Sequence, residues 1–84
     1  MEFDQINVND RQTFISFLRL FREDLKNNIG AWENANLEDF LDALERYTQD
    51  IQGYYDNSGQ LEENASEASW KRFADILKGA RIYE

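Results

Sequence analysis

Residues 37–56 read LEDFLDALERYTQDIQGYYD, and their spacing decides the fold. Leu37, Phe40, Leu41, Leu44, Thr48, Ile51 and Tyr55 recur every three to four positions, the period that gathers side chains on one flank of an α-helix. Asn36 stands where such a helix needs an N-cap. Glu38 and Asp39 fall in the first turn, where the positive end of the helix dipole favours carboxylates. Gly53 costs the helix about 1 kcal/mol relative to alanine, so the last turn frays or the glycine admits a close backbone neighbour.

The same period continues on both sides of this stretch. Phe14, Phe17, Leu18, Phe21 and Leu25 mark a helix over about residues 10–28. Asn9 and Gln12, spaced as a capping box, open it. Asn27, Asn28 and Gly30 close it, since these residue types take up left-handed backbone cheaply. Trp70, Phe73, Ala74, Leu77 and Ala80 mark a third helix over about 65–80, entered through the capping-box spacing of Asn64 and Glu67. The turn formers from Asp56 to Gln60, with the polar residues after them, predict a mobile loop over about 57–64. Proline is absent, so nothing forbids long helices.

Three amphipathic helices with short connectors predict an all-α fold, a small antiparallel helical bundle in a single domain spanning residues 1–84. Its expected core is Phe14, Phe17, Phe21, Leu41, Leu44, Ile51, Trp70, Phe73 and Leu77, with Ile82 and Tyr83 packed back onto it. Ile15 and Leu20 widen the apolar arc of the first helix. A chain this short either closes its core alone or completes it by association, as a monomer or a homodimer.

Composition narrows the function classes. The 84 residues hold no cysteine and no histidine, which removes disulfides, thiolate chemistry and most zinc, iron and copper sites, and no cofactor is expected. The start of the chain, Met1 to Ile6, lacks the basic and apolar runs of a signal peptide, and no stretch is long and apolar enough for a membrane span. A cytoplasmic protein is the expectation. The net charge of -8 repels nucleic-acid phosphates and anionic lipid, so the expected partner is a basic protein rather than nucleic acid or a membrane.

That charge is concentrated. Residues 33–67 hold ten acidic side chains against Arg46 alone, whereas residues 70–81 carry Lys71, Arg72, Lys78 and Arg81 against Asp75. Glu38, Asp42, Glu45, Gln49, Gln52 and Asp56 share one face of the second helix, and the like-charge pairs among them cost about 0.2–0.5 kcal/mol each. Such a face either faces water or docks a cationic protein. Asp56 to Glu67 has the length of a calcium loop, but Leu61 occupies the sixth position, where the sharp turn needs glycine. Asp24 and Glu33 bracket the first connector and could converge as a carboxylate pair or cap helices. No nucleophile–base arrangement and no glycine-rich phosphate loop is present, so an enzyme is not expected. Trp70 is read as core. Trp32 is divided between core and interface, and the adjacent Tyr54 and Tyr55 cannot both face inward.

Asp24, Trp32-Glu33-Asn34, the run Leu37 to Leu44, Tyr54-Tyr55, Trp70, Phe73 to Leu77 and the ending Ala80-Arg81-Ile82-Tyr83-Glu84 together resemble a family of small bacterial proteins of unknown function. The resemblance covers roughly residues 10–84, and its most specific parts are the Trp-Glu-Asn triplet and the C-terminal Tyr-Glu. It implies a bacterial cytosolic origin and no assigned activity. Members of that family often enter the last helix through a proline and a short loop, where this chain has the longer Asn57 to Ser69. Read structurally, the triplet wedges Trp32 between helices while Glu33 and Asn34 bond the connector and the next helix's N-terminus.

The function these readings favour is a non-enzymatic interaction module, inhibitor-like or immunity-like, that offers Glu38, Asp42 and Glu45, with Trp32 and Glu33, to a basic partner. The alternative is a small-ligand or divalent-metal protein using clustered carboxylates.

Overall fold

A computed structural model describes Met1–Glu84 and contains three α-helices, α1 (Arg11–Asn27), α2 (Leu37–Asn57) and α3 (Trp70–Ile82), with one-turn 3-10 helices at Phe3–Gln5 and Ile29–Ala31. There are no strands, and α3 packs against both α1 and α2 in a small helical bundle. No helix is long and apolar enough to cross a membrane.

Each helix begins at a side chain that satisfies orphan amides. For α2 it is Asn36, whose Oδ1 accepts from the Asp39 amide at 2.8 Å. For α1 the sequence reading chose Asn9 with Gln12, and the structure uses Asp10 with Thr13. The Asp10 carboxylate accepts from the Thr13 amide at 2.8 Å while Thr13 Oγ1 accepts from the Asp10 amide at 3.1 Å. A threonine hydroxyl reaches back as a glutamine would, and does so with fewer rotors to freeze. The bonds that the Thr13 amide and then the Thr13 hydroxyl donate to the Asp10 carboxylate hold that carboxyl below its usual range.

Two helix ends differ from expectation. No left-handed residue ends α1; Asn28 donates its amide to the Asp24 carbonyl at 2.8 Å and its side chain to Asp24 Oδ1 at 3.0 Å, after which the chain tightens into the 3-10 turn. The third helix starts at Trp70, capped by Ser69, instead of near residue 65. Asn64 Oδ1 accepts from the Ser66 amide, the Asn64 carbonyl accepts from the Glu67 amide in a single turn (3.0 Å), and the Arg72 guanidinium donates to the carbonyls of Asn64 (2.8 Å) and Glu67 (3.2 Å), which holds the segment as a turn ahead of the helix. The segment before α3 is also bound to α2. Gln52 donates to the Glu63 carbonyl at 3.0 Å and accepts from the Ala65 amide at 2.8 Å. Gly59 turns this segment with φ +78°, a conformation other residues adopt rarely.

Phe17, Ile51 and Tyr55 are fully buried, and Phe21 nearly so. Phe14, Leu44 and Leu77 are partly covered. Leu41, Trp70 and Phe73, expected in the core, remain exposed. Trp70 packs tilted against Phe14 and edge-on to Phe73, with ring centroids 5.4 and 5.9 Å apart, yet it remains exposed. Phe3 and Val8, ahead of the first helix, fill the core instead, Phe3 edge-on to Phe17 and Phe21. Of the tyrosine pair, Tyr55 is inside and Tyr54 outside.

The two interfaces of α3 differ in closeness. Along α2 the backbones approach extensively, helped by Gly79, where a Cβ would overlap the Tyr47 ring. Gly53 meets nothing, so the close approach expected there occurs at Gly79. By contrast, α1 and α2 hardly approach one another.

Candidate functional site

The connector between α1 and α2 is built around Trp32. Its ring lies 4.7 Å from Phe21 and 6.1 Å from Phe40, and its indole N–H donates to Asp24 Oδ2 at 2.7 Å. Trp32 is therefore wedged between helices. Asn34, however, does not serve the next helix. Its side chain donates to the carbonyls of Ala80 (2.9 Å) and Tyr83 (2.8 Å), and its amide donates to the Arg81 carbonyl at 3.1 Å. It satisfies the orphan carbonyls at the far end of α3. Asn36 does what was expected of Asn34, and Glu33 stays exposed with no hydrogen bond or ion pair.

Asp24 and Glu33 form no carboxylate pair. The Asp24 oxygens are committed to Asn28 and Trp32, with the Arg81 guanidinium 4.0 Å away. Nowhere do three acidic groups gather as they would around a metal ion.

Because α1 and α2 stay apart, an apolar groove of about 510 Å³ opens between them. Leu18, Phe21 and Leu25 form its α1 side, Leu37 and Phe40 its α2 side, Trp32 closes one end, and Leu77 is contributed by α3. Eight of its eleven residues are hydrophobic, and Arg22 is the one ionisable group among them. Leu37 is 72% exposed and Leu41, one turn further along α2, 51%. Single exposed leucines are ordinary on a protein surface, whereas a continuous apolar furrow is less common.

Successive helix residues turn by about 100°, so Glu38, Asp42 and Glu45 follow next round α2 from Leu37 and Leu41. All three are exposed. Asp42 pairs with Arg46 at 3.1 Å, a surface pair worth little. Glu38 and Glu45 have no cation in the chain. The acidic face thus borders the groove on its α2 side. Of the residues singled out in the sequence, Glu38, Asp42 and Glu45 lie together on this border, Trp32 lies inside the groove's end, and Glu33 stands apart in solvent. Groove residues Leu18, Leu25, Leu37 and Phe40 were visible in the sequence only as members of apolar stripes.

The groups with displaced pKa values lie elsewhere, chiefly between α2, α3 and the segment joining them. The Tyr55 hydroxyl donates to Asp75 Oδ2 at 2.7 Å, and burial followed by this bond raises its pKa, with Arg72 opposing. Burial, then the charges of Tyr54, Asp75 and Tyr83, push Tyr47 up to about 12. Glu63 is held low by Arg72, its oxygen 2.8 Å from the guanidinium. Burial alone would lower Lys71, but Asp75 and Glu63 hold it above its usual value. Tyr83 is raised by its hydrogen bond to Asp50. None of these groups lines the groove.

The fold and site define a small three-helix protein whose distinguishing surface is an open apolar groove with an acidic border. Residues 10–84 match DUF7660, a family of unknown function, and the chain belongs to that family. No curated protein and no solved structure matches it.

Proposed function

We propose that the chain is a non-enzymatic, cytoplasmic protein-interaction module that presents the acidic face of α2 to a basic protein, in the manner of an inhibitor or immunity protein. The observation that carries this reading is the pairing of unneutralised Glu38 and Glu45 with the exposed Leu37 and Leu41 beside them. Carboxylates of this kind speed encounter with a cationic surface, and adjacent leucines supply apolar area that slows escape. The groove offers little for catalysis, since its lining is mostly hydrophobic and includes no carboxylate, hydroxyl, thiol or imidazole. The carboxylate-based ligand reading has less support, because Asp24 is already committed and Glu33 is alone.

The test compares the chain with a Glu38→Lys/Asp42→Lys/Glu45→Lys variant as bait, followed by association kinetics with each protein retained. The expected result is a basic partner that is lost with the variant and whose association rate falls roughly tenfold or more, most at low salt. Retention of the same proteins at unchanged rates would overturn the proposal.

A further inference from the structure

The groove has two borders, and they carry opposite charge. On α1, Arg11, Arg19, Arg22 and Lys26 fall within an arc of about 80° round the helix, adjoining Leu18 on the groove side. All four are exposed, and none forms an ion pair within the chain. On α2 the border is Glu38, Asp42 and Glu45, of which only Asp42 has a cation in reach. The molecule therefore displays a continuous apolar furrow between an unneutralised positive edge and a largely unneutralised negative edge. An occupant that spans the whole furrow and meets both edges needs both signs in the matching order. A second copy already has them.

We propose that the groove is covered by the same groove of a second copy, related by a twofold axis running along it. Rotation about that axis turns the second molecule face to face with the first and exchanges left and right, so the basic α1 edge of each copy meets the acidic α2 edge of the other. A twofold axis across the groove would instead set arginine against arginine and carboxylate against carboxylate, which costs energy. The charge pattern thus selects one isologous arrangement of the two available. Leu18 and Leu37 supply the apolar centre, Leu41 extends it toward the acidic edge, and the charged edges form its rim. The net charge of -8 on each copy opposes association at long range, but separations beyond about 8 Å are screened at physiological ionic strength, whereas the two edges are in contact. The dimer needs no other protein. It occupies the surface assigned above to a basic partner, so the two occupants exclude each other, and such a partner would open the dimer.

Sedimentation of the purified chain and two edge variants tests this arrangement. Arg19→Glu/Arg22→Glu/Lys26→Glu leaves a net negative charge on both edges, and Glu38→Lys/Asp42→Lys leaves a net positive charge on both; the residues are exposed, and circular dichroism checks that the helices persist. The expected result is a dimer for the unmodified chain, at least roughly tenfold weaker association for each variant alone, and recovery of a one-to-one heterodimer when the two variants are mixed. The mixture is decisive, because each variant supplies the edges that the other lacks. A monomer at roughly millimolar concentration, unchanged dimerisation of either variant, or a mixture that stays monomeric would each overturn the proposal. None of these outcomes involves the basic partner, so failure here leaves the earlier reading to its own test.

Discussion

Where α3 meets α2 the contacts are small or hydrogen-bonded, with Gly79 under the Tyr47 ring and Tyr55 donating to Asp75. Where α3 meets α1 they are large rings, Phe14 against Trp70 and Phe73. The first kind of contact draws two backbones together and leaves no room for an added atom. The second kind holds them further apart. With α2 drawn in and α1 propped out, the remaining side of the triangle does not close, and the groove is the result. A short chain that spends its bulk on one side of its central helix exposes leucines on another.

Substitutions can break or sharpen that contrast. The largest effect is expected on the ring side. Phe17 is fully buried among Phe3, Phe14 and Phe21, and Phe17→Ala should cost about 3–5 kcal/mol in denaturant unfolding. On the close-packed side, Gly79→Ala drives a methyl into Tyr47, whose ring is backed by Tyr83 and Tyr54, and should cost about 1–3 kcal/mol. The same change at Gly53, where nothing stands nearby, should instead add about 1 kcal/mol of stability. Opposite signs for one chemical change, read from urea midpoints, would show that close packing belongs to Gly79 and not to glycine as such.

Alkaline pH tests the hydrogen-bonded side with a smaller effect. Tyr47, Tyr55 and Tyr83 hold their protons to higher pH than free tyrosine, whose pKa is 10.0. Above that value the unfolded chain binds fewer protons than the folded one. Their contribution is therefore complete below pH 10 and falls as pH rises, for Tyr47 through about 12. Thermal unfolding should shift to lower temperature across this window. The smallest effect belongs to the groove edge: at concentrations low enough to keep the copies apart, Leu37→Ser and Leu41→Ser should change stability by no more than about 0.5 kcal/mol, since both side chains are exposed in the single chain.

Much of this fold is legible from sequence, and the unreadable parts share a cause. The bounds of α2 follow from Asn36, the first-turn acids and the apolar period, all local features, and the observed Leu37–Asn57 ends one residue past the reading. The start of α3 does not follow, because an arginine inside the helix captures carbonyls five and eight residues earlier. Asn34 reaches the end of α3 across 46 and 49 residues, a tie that no spacing announces. The acidic border was readable for a similar reason to α2, since a helical face is a property of one helix. The groove was not. Periodicity tells which flank of Leu18, Leu37 or Trp70 is apolar, and it is silent on whether a neighbour arrives to cover that flank.

Mixing isotope-labelled with unlabelled chains and recording only the nuclear Overhauser contacts that cross between them asks directly what covers the groove. Contacts from the Leu18, Leu37 and Leu41 methyls to the second copy are the expected result. Contacts confined to other surfaces, or none from these leucines at concentrations that saturate association, would contradict it.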